Sequence, residues 1–195
     1  FIKLEGSWFE RFVSMENKDK YFFFDKKIDM SNFEKKINYE ISSRQNFIEY
    51  SEEGVNYLKT ISKIIKRNYG GALIIDYGYF DDKMKNTLQA IFNQKYSNVL
   101  KNIGNSDITH NINFKLFQKI VKTLGGLKNN FTTQKEFLIK MGINERAEII
   151  SRNQNFLKKA DTYYRLKRLI DEKQMGNLFK VMLIKNKKNN FKLGF

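Results

Sequence analysis

Two short stretches hold the side chains best suited to chemistry. Gly70-Gly71-Ala72-Leu73-Ile74-Ile75-Asp76-Tyr77-Gly78-Tyr79 is an apolar run that stops on a carboxylate. Asn105-Ser106-Asp107-Ile108-Thr109-His110-Asn111 sets an acid, hydroxyls, an imidazole and amides side by side. Open α/β sheets bind ligands outside the carboxyl ends of their strands, where strand-end side chains and helix N-termini converge. Asp76 at such an end could hold a cationic or hydrogen-bonding group, with Tyr77 and Tyr79 flanking a Gly78 that permits a turn or a close ligand approach. The competing reading is that Asp76 caps the following turn through its own backbone, as short acids at strand ends do. The residues alone leave these two open. For Asp107, Thr109 and His110 the alternatives are a substrate lid and a turn-and-cap segment leading to a helix at Asn113, and spacing favours the latter. His110 would need a positioned partner to serve as a base.

Several function classes are excluded at this stage. The chain has no Cys and one His, so a disulfide scaffold, Cys-ligated zinc, iron–sulfur clusters and His-based metal centres are not expected. Neither a Gly-rich phosphate loop nor a nucleophile elbow is present. No run approaches the roughly 20 apolar residues of a membrane span, and the N-terminus lacks the order of a secretory signal, so the expectation is a bacterial cytoplasmic protein with no membrane contact. The net charge of +15 invites a nucleic-acid reading, but Lys supplies 29 of the 36 basic residues and these are scattered, as on a solvated surface. Phe1 already lies within an alternating pattern, and the chain is read as a fragment.

The elements that must position these stretches follow from periodicity. Ile2 and Leu4, then Glu5-Gly6-Ser7, Trp8 to Val13 and Tyr21 to Phe24 predict a hairpin or small meander, and 25–46 a connecting excursion with a short helix at Ser31 to Ile37. After Phe47-Ile48-Glu49-Tyr50, Ser51 can cap a helix with Glu52 and Glu53 in its first turn and Val55, Leu58, Ile61 or Ser62, and Ile65 on one face, stopped by Gly70-Gly71. Ala72 to Ile75 then read as a strand covered by helices on both faces of a parallel sheet. A helix is expected to start near Thr87-Leu88-Gln89-Ala90, and a long polar loop to run from Gly104 to Asn111. Asn113 can cap a helix ended by Gly125-Gly126, and Thr133-Gln134-Lys135-Glu136 is a capping box. Residues 144–173 read as two helices and Leu178 to Ile184 as a strand. The fold class is α/β, with residues 1–46 as the meander and its insertion and 47–195 as the α/β part.

Three blocks taken in order resemble one family. They are 70–79 with Thr87-Leu88-Gln89-Ala90; Gly104 to Phe114, similar to a Gly-x-x-Asp-Leu-Thr-x-x-Val-Asp-Phe run; and Thr133 to Leu138 with Gly142-Ile143, Met175-Gly176 and Phe179-Lys180-Val181. The family is the MidA-like S-adenosylmethionine-dependent methyltransferases, which includes the mitochondrial complex I assembly type. The resemblance implies the C-terminal half of a class I, Rossmann-like, seven-stranded sheet, with 72–75 as its fifth strand and 178–184 as its antiparallel last strand. It places the cofactor-binding glycine loop upstream, so no cofactor contact is assigned here. Ile108, Ile112 and Asn113 depart from the pattern, and Asn113 removes a charge.

By this resemblance the complete protein uses S-adenosylmethionine to methylate arginine on a partner protein, in the family a respiratory complex I subunit, and the fragment alone is inactive. Because a guanidinium is always cationic, Asp76 and Asp107 are the candidate catalytic acids, with Tyr77, Gly78, Tyr79, Thr109 and His110 lining the substrate. The alternative is a non-catalytic basic module that engages nucleic acid or an acidic protein.

Overall fold

A computed structural model describes residues 1–17 and 20–195. In chain order, β1 (Ile2–Leu4), β2 (Ser7–Asn17) and β3 (Lys20–Ile28) precede α1 (Met30–Ile37), and α2 (Glu52–Asn68) leads into β4 (Gly71–Tyr79). Next come β5 (Gln89–Phe92), β6 (Lys95–Ser97), β7 (Asp107–Thr109) and β8 (Ile112–Asn113), which runs into α3 (Phe114–Leu124). The remainder is β9 (Leu127–Thr133), α4 (Gln134–Lys140), α5 (Ile143–Ser151), α6 (Phe156–Ile170), α7 (Met175–Leu178) and β10 (Phe179–Asn186). These form two compact units, Phe1–Glu52 with Asp81–Asn111 and Glu53–Phe80 with Ile112–Phe195. Among the described residues no helix is long and apolar enough to cross a membrane.

In the first unit the expected meander is present as an antiparallel β1-β2-β3 sheet. Phe12 lies opposite Phe24 and their rings stack at 5.5 Å, while Arg11 grips Asp25 with two hydrogen bonds of 2.8 Å. The helix α1 follows as read from the sequence, its first turn capped by Asp29, whose carboxylate accepts from the Ser31 and Asn32 amides. The segment from Thr87 differs from expectation. Instead of a helix, β5 lies between β6 and β7 in a small antiparallel sheet. The Leu-Gln-Ala run has good helix propensity, but propensity is a weak bias that tertiary pairing overrides. Asn93 and Gln94, at φ 49° and 62°, supply the two left-handed residues of a tight hairpin, and Ala90 is fully buried.

The second unit is built on a mixed sheet of order β8-β4-β10-β9. Strand β10 is antiparallel to both neighbours, as the resemblance implies, with Leu183 between Leu73 and Asn130. The side chain of Asn113 caps α3 by accepting from the Lys115 and Leu116 amides at 3.0 and 3.2 Å, so an uncharged residue suffices at this position. The predicted capping box at α4 is half formed. Thr133 accepts from the Glu136 amide, but the Glu136 carboxylate turns to the Thr132 hydroxyl at 2.5 Å instead of the cap backbone. Helix α2 buries Val55, Leu58, Ser62 and Ile65, and it ends with Tyr69 in the left-handed conformation, just before the glycines expected to stop it.

Two expectations about β4 are corrected. The strand continues to Tyr79, which places Asp76 opposite Lys180 within the ladder and not at the strand end. Its neighbours also differ from a doubly covered parallel strand. The contact with β10 is antiparallel, and the parallel partner β8 meets it only at Gly78 and Tyr79. The Phe114 ring of α3 packs on the face that carries Gly78, whereas Leu73 and Ile75, which point to the opposite face, remain 46% and 47% exposed. A run without alternation is common to strands buried on both faces and to strands with one apolar face left open. The polar strand β9, Leu-Lys-Asn-Asn-Phe-Thr-Thr, has no counterpart among the strands expected from periodicity.

Candidate functional site

The first candidate stretch lies on β4 in the second unit. One oxygen of the Asp76 carboxylate accepts from the Tyr77 amide at 2.7 Å, a local bond of the kind the capping reading anticipates, although inside a strand. The Tyr77 ring rests against Phe179 with centroids 4.1 Å apart, and the residue is 40% exposed. Gly78 is buried, and a Cβ there would meet the Ile112 carbonyl oxygen at 2.5 Å and the Phe114 ring at 2.6 and 2.7 Å. The room beside this glycine is therefore filled by the protein itself. Tyr79 lies opposite Asn113, the cap of α3.

Asp107, Thr109 and His110 belong to the other unit, so the two stretches sit on separate scaffolds. Asp107 and Thr109 lie on β7, an edge of the small sheet, where Asp107 pairs with Ile91 and Thr109 with Gln89. The expectation for this segment is loop; three of its residues form strand because β5 offers a free edge. The Gln89 amide donates to the Thr109 hydroxyl at 3.1 Å. Asp107 and His110 are exposed, and among the described residues the Asp107 carboxylate has no hydrogen-bond or ion-pair partner.

What holds this segment in place is a carboxylate that sequence reasoning missed. Glu49 accepts from the amides of Thr87 and Leu88 at 3.2 and 3.1 Å and from the Thr87 hydroxyl. The same Thr87 oxygen accepts from the Asn111 amide at 2.8 Å, immediately after His110. Gln45 adds a second clamp, donating to the Asp82 carbonyl and accepting from the Met84 amide. Glu49 gives no local signal: it is one acid in an extended apolar segment, and its partners lie 38 or more residues away. A buried or half-buried carboxylate collecting several donors is a rigid anchor, because each lost bond leaves a polar group unsatisfied.

A cavity of about 560 Å³ opens in the second unit at the other end of β4, beside Gly71 and Leu73. Phe137, Met141, Leu183, Phe191 and Leu193 make it apolar, and Lys185 also lines it. Lys185 is buried and donates to the Phe191 carbonyl; burial, with Lys128 and Lys192 nearby, holds its ammonium pKa below the usual lysine range. This cavity takes in Gly71 and Leu73 from the start of the first candidate stretch but none of the candidate site residues Asp76, Tyr77, Gly78, Tyr79, Asp107, Thr109 and His110.

A family model described as "Putative S-adenosyl-L-methionine-dependent methyltransferase" matches residues 1–132, which contain both candidate stretches. The chain belongs to this methyltransferase family. Its similar relatives include the mitochondrial protein arginine methyltransferase NDUFAF7 of Danio rerio, 28% identical over 74% of this chain and 33% of that protein. The Drosophila melanogaster homologue of NDUFAF7 is 30% identical over 69% of this chain and 31% of that protein. Two crystal structures from Burkholderia thailandensis share the fold over the whole chain, both at 22% identity, with TM-scores of 0.80 and 0.77. The second of these contains S-adenosyl-homocysteine. The chain spans about a third of the length of the curated relatives and about half that of the solved ones.

The cofactor of the family is S-adenosylmethionine, and neither Gly78 nor the apolar cavity beside Gly71 is laid out as a cradle for its nucleoside. The glycine near the end of β4 has its open side filled by Phe114, and the apolar cavity lies at the opposite end of the strand. No cofactor contact is assigned to this chain.

Proposed function

We propose that the protein containing these residues transfers a methyl group from S-adenosylmethionine to an arginine of a partner protein, and that this chain supplies substrate-facing structure. The observation that carries the reading is the family match over 1–132, in which relatives named as protein arginine methyltransferases align with most of the chain. A guanidinium is cationic throughout the physiological range, and a carboxylate is its natural counterpart. Asp107 is the stronger candidate for this role: its carboxylate is exposed and free among the described residues, and the Glu49–Thr87–Asn111 bonds fix the backbone beside it. Asp76, already engaged with the Tyr77 amide, is the second acid. Within the first unit Thr109 and His110 are the wall residues that accompany Asp107, within the second Tyr77 and Tyr79 are those that follow Asp76 along β4, and Gly78 contributes by letting Phe114 approach β4. The partner is a protein, and a respiratory complex I subunit is the class that the resemblance to the MidA-like family implies.

The test is methyl transfer from labelled S-adenosylmethionine to an arginine-bearing protein substrate by the intact enzyme. Asp107→Asn is expected to lower kcat/KM by about 10- to 100-fold, the value of one charge-assisted contact, and Asp76→Asn by less. Unchanged transfer in both variants would remove the two acids from the mechanism. Label recovered on lysine or on nucleic acid would remove the arginine assignment.

A further inference from the structure

The hydroxyl of Thr87 joins two groups that are far apart in the chain. It donates to the Glu49 carboxylate and accepts from the Asn111 amide at 2.8 Å. A hydroxyl has one proton and two lone pairs, and an ionised carboxylate can only accept. The proton is therefore committed to Glu49, which leaves a lone pair for the Asn111 N–H. Hydrogen bonds to an ionised acceptor are also the stronger kind, so the carboxylate fixes the hydroxyl rotor. Two residues along, the Gln89 side-chain amide donates to the Thr109 hydroxyl at 3.1 Å. Residues 87–89 thus hold 109–111 by one bond before His110 and one after it. All of these residues belong to the first unit.

The second bond matters because β7 is short. Its ladder with β5 ends at the pair Gln89–Thr109. Past that pair the Asn111 amide is held by a side chain, Thr87 Oγ1. Short strands with exposed residues open at low cost, and both Asp107 and Ile108 are exposed. Placing a carboxylate against a guanidinium calls for the opposite, a backbone that does not wander.

We propose that Thr87, with its hydroxyl oriented by Glu49, is a positioning residue for methyl transfer that acts through the Asn111 amide to hold Asp107 and His110 in the geometry that receives the substrate guanidinium. This rests on the reading of Asp107, Thr109 and His110 as substrate-facing. Thr87 itself touches neither substrate nor cofactor in this role. A guanidinium is cationic before and during the reaction, so its contact with Asp107 is made in the ground state and the transition state alike. Loss of the geometry then raises KM for the protein substrate and leaves kcat largely unchanged.

Hydrogen exchange and steady-state kinetics on the intact enzyme test the proposal together. Thr87→Val removes the hydroxyl at nearly constant shape and leaves Glu49 the amides of Thr87 and Leu88. Exchange at the Asn111 amide should accelerate about 10-fold, while the Thr87 and Leu88 amides stay protected. KM for the protein substrate should rise about 10-fold, with KM for S-adenosylmethionine unchanged. Thr87→Ser keeps the hydroxyl and should restore both values. In an Asp107→Asn background Thr87→Val should add little, because the acid it serves is already gone.

Unchanged Asn111 exchange in Thr87→Val, with transfer by Asp107→Asn impaired, would overturn the proposal and leave the substrate reading standing. Normal transfer by Asp107→Asn would refute that reading and the proposal with it. An equal rise in both KM values would mark general loosening and count against a positioning role. So would a Thr87→Ser variant as impaired as Thr87→Val, or losses that multiply fully in the double variant.

Discussion

Replacing Gly78 by alanine separates a packing role from a ligand role at the most suggestive glycine in the sequence. The added methyl would lie 2.5 Å from the Ile112 carbonyl oxygen and 2.6 and 2.7 Å from two atoms of the Phe114 ring. Neither neighbour can yield cheaply. Ile112 belongs to the two-residue parallel ladder that includes Gly78, and Phe114 is fully buried with its ring against Phe117 and Phe131. Overpacking a tight site costs about 1–3 kcal/mol, and because all three contacts involve backbone or a locked ring the upper end applies, about 3 kcal/mol. For a chain of this size that corresponds to a fall in Tm of about 6–12 °C. The assay is thermal denaturation followed by circular dichroism with no ligand present. Gly70→Ala is the control, since nothing lies within 4 Å of its Cβ position and its φ is not in the left-handed region; it should leave Tm unchanged or raise it slightly. If Gly78→Ala melts within about 1 °C of the parent and is impaired only in ligand binding, the packing argument is wrong.

Three further outcomes follow from the same contacts. Glu49→Ala strips three donors of their acceptor and should cost about 1–3 kcal/mol, with hydrogen exchange at the Thr87, Leu88 and Asn111 amides accelerated ahead of those in β4; uniform exchange would refute the anchor. Asn113→Ala should lower stability by about 1 kcal/mol through loss of the α3 cap, and Asn113→Asp should restore it, since both side chains cap well; equal melting of all three would count against the cap. The Thr132 hydroxyl and then the Thr133 site hold the Glu136 carboxyl below its usual 4.5, so the folded state binds a proton less readily than the unfolded chain. That stabilisation is present above pH 4.5 and is lost as pH falls through the lower folded value, so the stability gap between the parent and Glu136→Leu should narrow in acid; a gap that widens there would contradict the assignment.

Local chemistry by itself makes several elements legible. The spacing of Val55, Leu58 and Ile65 announces α2, Asn113 and Thr133 announce the starts of α3 and α4, and the alternation of Trp8 to Val13 announces the meander. Each is decided within a turn or a strand pair, over distances a sequence window can see. The family is legible too, because its residues lie in three ordered blocks, two of them within the region the family match covers.

The remainder depends on partners remote in sequence. Whether Leu73 and Ile75 are covered, and whether Asp76 ends its strand, is decided by which strands and helices pack against β4. Thr87 to Ala90 leave the helical state because β7 and the Asn93-Gln94 turn are available to pair with β5, and β9 exists because β10 accepts it despite its polar composition. Gly78 proves to be room for a phenylalanine 36 residues later in the chain, and Glu49 an anchor for a threonine 38 residues away. Periodicity records which face of an element is apolar, whereas the identity of the group that meets that face is fixed only when distant segments are brought into contact.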